Sequence, residues 1–198
     1  MRYVSTRGEA RSVDFEGALF SGYAPDGGLF MPQEIPTLDY NTLRTWSAFS
    51  YPELVKELSS LFISSELIPR KELNDLIDNA FRRFRHKNVV HLARLKNGLN
   101  CLELWHGVTY AFKDLSLSCT GQFLQYFLKK RKKHITILVG RLQLNRWMQA
   151  MYSEFTPVQR LPKLCKGPFV CPLHSAISYI YSSLLLVLMS GTGLITNM

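Results

Sequence analysis

An α/β architecture entered through a helical N-terminal piece is the fold class this sequence predicts, and three observations carry it. Two apolar patterns at helical spacing come first, one after Ser50 and one after Pro69. A third helical pattern begins near Asp114 and leads into Ile135-Thr136-Ile137-Leu138-Val139, an apolar, β-branched stretch that closes on Gly140. An extended segment, a helix and such a strand mark the entry to a parallel sheet, where ligands bind beyond the carboxyl ends of the strands. Finally, 198 residues with 46% hydrophobic and 20% charged side chains suffice to bury a core.

The elements follow in order. After an extended start, Asp14 can cap a short helix carrying Phe15, Leu19 and Phe20, and Pro25-Asp26-Gly27-Gly28 then forces a turn. Ser50 with Glu53 makes a capping box, Pro52 sits in the first turn, and Leu54, Val55, Leu58, Leu61 and Phe62 form the apolar face. From Pro69, Leu73, Leu76, Ile77, Ala80, Phe81 and Phe84 share a face, and Arg82, Arg83 and Arg85 lie near the dipole-negative end of that helix. Residues 89–95 and 99–105 read as extended segments joined by Lys96-Asn97-Gly98, whose Asn-Gly pair suits a tight hairpin turn. Asp114 is then expected to cap a helix reaching about Lys130 over Leu115, Cys119, Phe123, Phe127 and Leu128.

Composition narrows the function classes. Residues 1–140 hold 19 basic and 14 acidic side chains, a net of +5, whereas residues 141–198 hold five basic ones and a single acid, Glu154. The chain therefore changes character near residue 140. The run Lys129-Lys130-Arg131-Lys132-Lys133 closes a helix, where cations offset the dipole and stay solvated, so no nucleic-acid partner is expected. The apolar stretch over residues 179–189 is short against the roughly 20 residues a bilayer span needs, which argues against a membrane partner. Cys101, Cys119, Cys165 and Cys171 are too few and scattered for a disulfide framework or a zinc site, and no metal is expected. No secretory signal is visible at the start, so the cytoplasm is the default compartment, and secretion would have to follow an unconventional route.

The chemistry concentrates in Leu104-Trp105-His106-Gly107-Val108-Thr109-Tyr110-Ala111-Phe112-Lys113-Asp114. A lysine set between apolar Ala111 and Phe112 and a helix start is expected to be partly desolvated and to face a positive dipole end, two influences that favour the neutral amine. A neutral amine is the nucleophile that adds to an aldehyde carbon. The alternative is a solvated first-turn lysine, which is how most lysines sit.

This segment resembles the cofactor-lysine motif of the threonine synthase family, His-Gly-Pro-Thr-x-Ala-Phe-Lys-Asp, with Val108 where proline is usual. The opening Tyr3-Val4-Ser5-Thr6-Arg7-Gly8 and the later Gly22-Tyr23-Ala24-Pro25-Asp26-Gly27-Gly28-Leu29-Phe30-Met31-Pro32 are similar to that family's N-terminal signature, in the same order. The resemblance covers residues 1–140. It implies the N-terminal part of a fold-type II enzyme dependent on pyridoxal phosphate and acting on a phosphorylated amino acid, O-phosphohomoserine or O-phosphothreonine. It also implies that Lys113 binds the cofactor aldehyde and later shuttles the α-proton of the substrate. Thr6, Arg7, His106 and Thr109 offer donors near the matched motifs and are the candidate phosphate or substrate contacts. Each has a structural alternative, Arg7 in pairing with an acid and Thr109 in capping a turn.

After Gly140 the likeness stops. The family continues with a loop resembling Thr-Ser-Gly-Asp-Thr-Gly, whereas Arg141-Leu142-Gln143-Leu144-Asn145-Arg146 has no glycine to bring backbone N–H groups close to a phosphate. Three regions are therefore expected: residues 1–88, a mainly helical N-terminal region; residues 89–140, the start of the cofactor domain; and residues 141–198, an unrelated tail of the kind that alternative splicing or a frame shift would append. On that reading the enzyme fold is incomplete and the chain a weak catalyst or none. The alternative function is non-catalytic: a regulatory, binding or secreted signalling product whose basic, aromatic tail meets a protein partner.

Overall fold

The computed structural model describes residues 1–135. The strand expected from residue 135 onward, apart from Ile135 itself, and the loop and tail after Gly140 lie outside the described residues.

The N-terminal strand β1 (Tyr3–Ser5) pairs antiparallel with β2 (Phe30–Pro32), Tyr3 opposite Pro32 and Ser5 opposite Phe30. Three-residue strands are too short to show alternation in the sequence, and this pairing is absent from the sequence reading. Between them lies α1 (Phe15–Ser21), whose Asp14 side chain accepts the Gly17 N–H at 2.7 Å, as the capping pattern predicts. Two longer helices follow a short α2 (Tyr40–Trp46), which Asp39 caps through the Thr42 N–H at 2.6 Å. In α3 (Tyr51–Phe62) the Glu53 carboxylate accepts from the Ser50 N–H at 2.7 Å and from its hydroxyl at 2.6 Å. Pro69 stands at the head of α4 (Arg70–Phe81), and Arg82 follows the last helical residue.

The hairpin appears where the Asn-Gly pair places it. Strands β3 (His91–Arg94) and β4 (Asn100–Glu103) run antiparallel, with His91 opposite Glu103 and Arg94 opposite Asn100. Asn97 and Gly98 both adopt left-handed backbone, φ 62° and 76°, which costs glycine nothing and asparagine little. Lys96 makes the connection one residue longer than the tightest turn.

The last described helix, α5 (Lys113–Arg131), runs through the centre of the packing. Phe123 and Phe127 are buried, and Phe15 meets Phe123 edge-on at 5.5 Å between ring centres. α5 packs against α4 and α1, and α4 in turn against α3. Tyr3, 2% exposed, sends its hydroxyl to the Phe62 carbonyl at 3.1 Å and so ties β1 to the end of α3. Burial pushes the Cys119 thiol up to about 12, making it a small apolar core group rather than a nucleophile. The described strands form two separate two-stranded antiparallel sheets, and the expected parallel sheet is not among the described residues.

Candidate functional site

Lys113 is the first residue of α5, so its position depends on how the chain enters that helix. Asp114 was the natural candidate for the helix cap by residue type, but it occupies the first turn, and Phe112 precedes the helix without a side-chain cap. The Asp114 carboxylate, 2% exposed, reaches back instead to the preceding turn. It accepts the Thr109 N–H at Oδ2 and the Thr109 hydroxyl at Oδ1, both at 2.7 Å. Gly107 presses against it so closely that a Cβ there would lie 2.3 Å from Oδ2. Tyr110 completes the turn with left-handed backbone, φ 57°, and its N–H donates to the Gly107 carbonyl at 3.2 Å. A buried carboxylate that accepts two short bonds from one residue fixes the loop over residues 107–113 in a single arrangement.

The surroundings of Lys113 differ from the expected partial desolvation. Lys113 is exposed and Phe112 is 52% exposed, as are Val108 at 46% and Tyr110 at 77%. Apolar neighbours in sequence do not desolvate a lysine unless something packs over them, and among the described residues nothing does. The amine is thus open to a ligand.

The five candidate residues fall in two places. His106, Thr109 and Lys113 lie within eight residues at the head of α5. Thr109 spends its hydroxyl proton on Asp114, and His106 Nε2 lies 2.8 Å from Glu103 Oε2. Thr6 and Arg7 belong to a separate turn built on Asp26. The Thr6 hydroxyl oxygen accepts the Leu29 N–H at 3.0 Å, and Arg7 Nη1 donates to the Asp26 carbonyl at 3.0 Å rather than to an acid side chain. Both remain exposed, with Thr6 keeping its hydroxyl proton and Arg7 the other edge of its guanidinium. The Ser5 hydroxyl donates to Asp26 Oδ1 at 2.7 Å and holds that carboxyl below the usual carboxylate range, helped by the N–H groups of Gly28, Glu9 and Ala10. Gly28 must be glycine, since a Cβ would meet the Ser5 hydroxyl oxygen at 2.2 Å.

Two residues escaped the sequence reading. Glu103 holds His106, and His86 stacks on the same imidazole with ring centres 3.9 Å apart and planes 10° from parallel. The spacing Glu103-x-x-His106 gave no hint, because residues three apart on a strand face opposite sides. The contact forms only because β4 ends at Glu103 and the chain leaves the strand. No group of His, Cys, Asp and Glu that could hold a metal ion occurs among the described residues, and no described helix is long and apolar enough to cross a membrane.

One end of pyridoxal phosphate fits the residues at the head of α5. The exposed Lys113 amine on a rigid turn suits the aldehyde end of the molecule, while Arg141-Leu142-Gln143-Leu144-Asn145-Arg146, directly after Gly140, has none of the glycines of a phosphate cradle. Comparison with known proteins bears on the family. Residues 2–81 match the family model described as threonine synthase N terminus. A threonine synthase-like 2 from Pongo abelii is 76% identical over 140 residues, which cover 71% of this chain and 29% of that protein. The crystal structure of threonine synthase from yeast superposes with a TM-score of 0.63 at 40% identity, covering 66% of this chain and 27% of the other. That of a threonine synthase from Brucella melitensis with pyridoxal phosphate bound gives 0.63 at 37% identity, covering 67% and 28%. The chain spans less than a third of the length of these relatives.

Proposed function

We propose that this chain, a member of the threonine synthase family, binds pyridoxal phosphate through Lys113 and serves phosphate-releasing chemistry on an O-phosphorylated amino acid. The observation that carries the reading is the pinned turn over residues 107–114, which places an exposed lysine at the head of a helix buried along most of its length. The fold-type II architecture and a tail unrelated to the family belong to the same proposal.

Pyridoxal phosphate, when bound, supplies an electron sink for the charge left on the substrate α-carbon. The protein's own residues do the rest. Lys113 Nζ would hold the aldehyde carbon, with loss of water, and its amine, when free, would serve as the base that takes the substrate α-proton and can return it. Asp114 and Gly107 keep the backbone that carries Lys113 in one arrangement, and so set the point from which its side chain reaches the aldehyde. Arg7 and Thr6, with donors left over from their own turn, suit the departing phosphate. Because capture at Lys113 fixes only the aldehyde end, and positioning supplies much of an enzyme's acceleration, this chain alone is expected to be a slow catalyst.

Titration of the purified chain with pyridoxal phosphate, followed by borohydride reduction and peptide mass mapping, tests the reading. One equivalent attached at Lys113, and none in Lys113→Ala, is the expected result; release of phosphate from O-phosphothreonine is then measured on the same preparation. Attachment spread over several lysines and unchanged in Lys113→Ala would overturn it.

A further inference from the structure

The turn before Lys113 has a second anchor, at His106. The Glu103 and His106 side chains are 21% and 13% exposed, and their contact at 2.8 Å is short enough for a charge-assisted bond. A carboxylate can only accept from a neutral or charged imidazole that carries hydrogen on the facing nitrogen, so Nε2 of His106 bears a proton. His86 covers one face of the ring, and its own Nδ1 lies 2.8 Å from the Asn88 carbonyl oxygen, which fixes His86 to the loop after α4. Trp105 tilts toward the His106 ring at 5.9 Å. These contacts leave Nδ1 as the His106 nitrogen without a hydrogen-bond partner among the described residues.

Resting on the cofactor-lysine reading above, we propose that Glu103 is a positioning residue: it holds His106 by Nε2, with His86 stacked on the ring, so that Nδ1 is the nitrogen presented to the phosphorylated substrate. The geometry joins three elements. Glu103 ends β4, His86 follows α4, and His106 precedes the turn that Asp114 pins at Thr109. Glu103 also faces His91 across the hairpin, so the pairing register of β3 and β4 sets where its carboxylate can reach. A histidine free to rotate would present either nitrogen; one bonded to a carboxylate and stacked presents one.

Nitrogen-15 NMR of the full chain labelled on histidine tests this. A protected Nε2–H resonance for His106 is expected in the wild type and in Glu103→Gln, whose amide oxygen can still accept, and is expected to vanish in Glu103→Ala. Added O-phosphothreonine should then move the Nδ1 shift in the first two proteins and leave the Ala variant unmoved. Absence of the protected proton in the wild type, its persistence in Glu103→Ala, a shift at Nε2 in place of Nδ1, or no shift at either nitrogen would overturn the proposal. Circular dichroism of the two variants separates loss of the bond from loss of the fold. Cofactor capture at Lys113 is measured separately, so its failure would sink the proposed function and leave the imidazole result standing.

Discussion

The helical region through residue 88 and the segment from the hairpin to Phe112 are built on different physics. In the first, side chains such as Leu19, Ile68, Leu73 and Ile77 are at or below 1% exposure; α3 packs on α4, and α5, which follows the second region, packs back on α4 and α1. In the second, the residues of β3 and β4 are at best half-buried, and Leu95, Leu99, Trp105, Val108, Tyr110 and Phe112 are between 45% and 77% exposed. The segment that carries the candidate chemistry is held by a few polar pins, Asp114 and Glu103 foremost, with little apolar burial behind them. Packing supplies stability to one region, and hydrogen bonds supply shape to the other.

The largest contrast should appear in core truncation. Phe123 is fully buried, meets Phe15 edge-on and lies in the middle of α5. Phe123→Ala is expected to cost about 3–5 kcal/mol, counting the cavity left behind. Leu99→Ala, at a position 62% exposed, should cost less than about 0.5 kcal/mol. Urea unfolding of the two variants checks the difference, and similar costs would mean that the hairpin is covered by something the described residues do not include.

A middle-sized effect is expected at the pin. Asp114→Ala strands the Thr109 N–H and hydroxyl in a part-buried turn, at about 1 kcal/mol. Its effect on the site should exceed its effect on the fold, because the turn that aims Lys113 loses its anchor while α5 keeps its core face. Cofactor capture at Lys113 should slow by about tenfold or more with far-ultraviolet circular dichroism unchanged. Capture at the wild-type rate would show that the loop over residues 107–113 is held by its backbone alone.

Where packing decides structure, the sequence was legible. The faces of α3 and α4, the cap at Asp14, the Ser50 and Glu53 box and the Asn97-Gly98 turn all follow from periodicity and local chemistry. Where long-range polar contacts decide, it was not. Asp114 looked like a cap because aspartate before an apolar run usually is one, but a buried position with Thr109 within reach offered its carboxylate better partners. The pairing of β1 with β2, the short α2 and the Glu103–His106–His86 contact depend on segments brought together only by the fold. Lys113 was singled out as a candidate by its neighbours in sequence, while its exposure depends on what covers it in space.

The Asp26 turn, which lies in the packed region but is itself pinned, gives the finest test of the comparison. Its carboxyl is held below its ordinary value chiefly by the Ser5 hydroxyl, with the N–H groups of Gly28, Glu9 and Ala10 adding to the effect. A carboxyl with a depressed folded-state value contributes stability that is present above its unfolded value, about 3.9, and is lost as pH falls through the lower folded value. Asp39 and Glu53 are shifted in the same direction by their helix-cap contacts, so acid lowers the wild-type melting temperature through all three. Asp26→Asn removes one of these titrations, and its melting temperature should fall less steeply than that of the wild type between pH 5 and pH 2, windows set by the reference carboxylate value of about 3.9. Parallel curves for the two proteins would mean that the Ser5–Asp26 contact contributes shape alone, placing Thr6 and Arg7 without adding to acid stability.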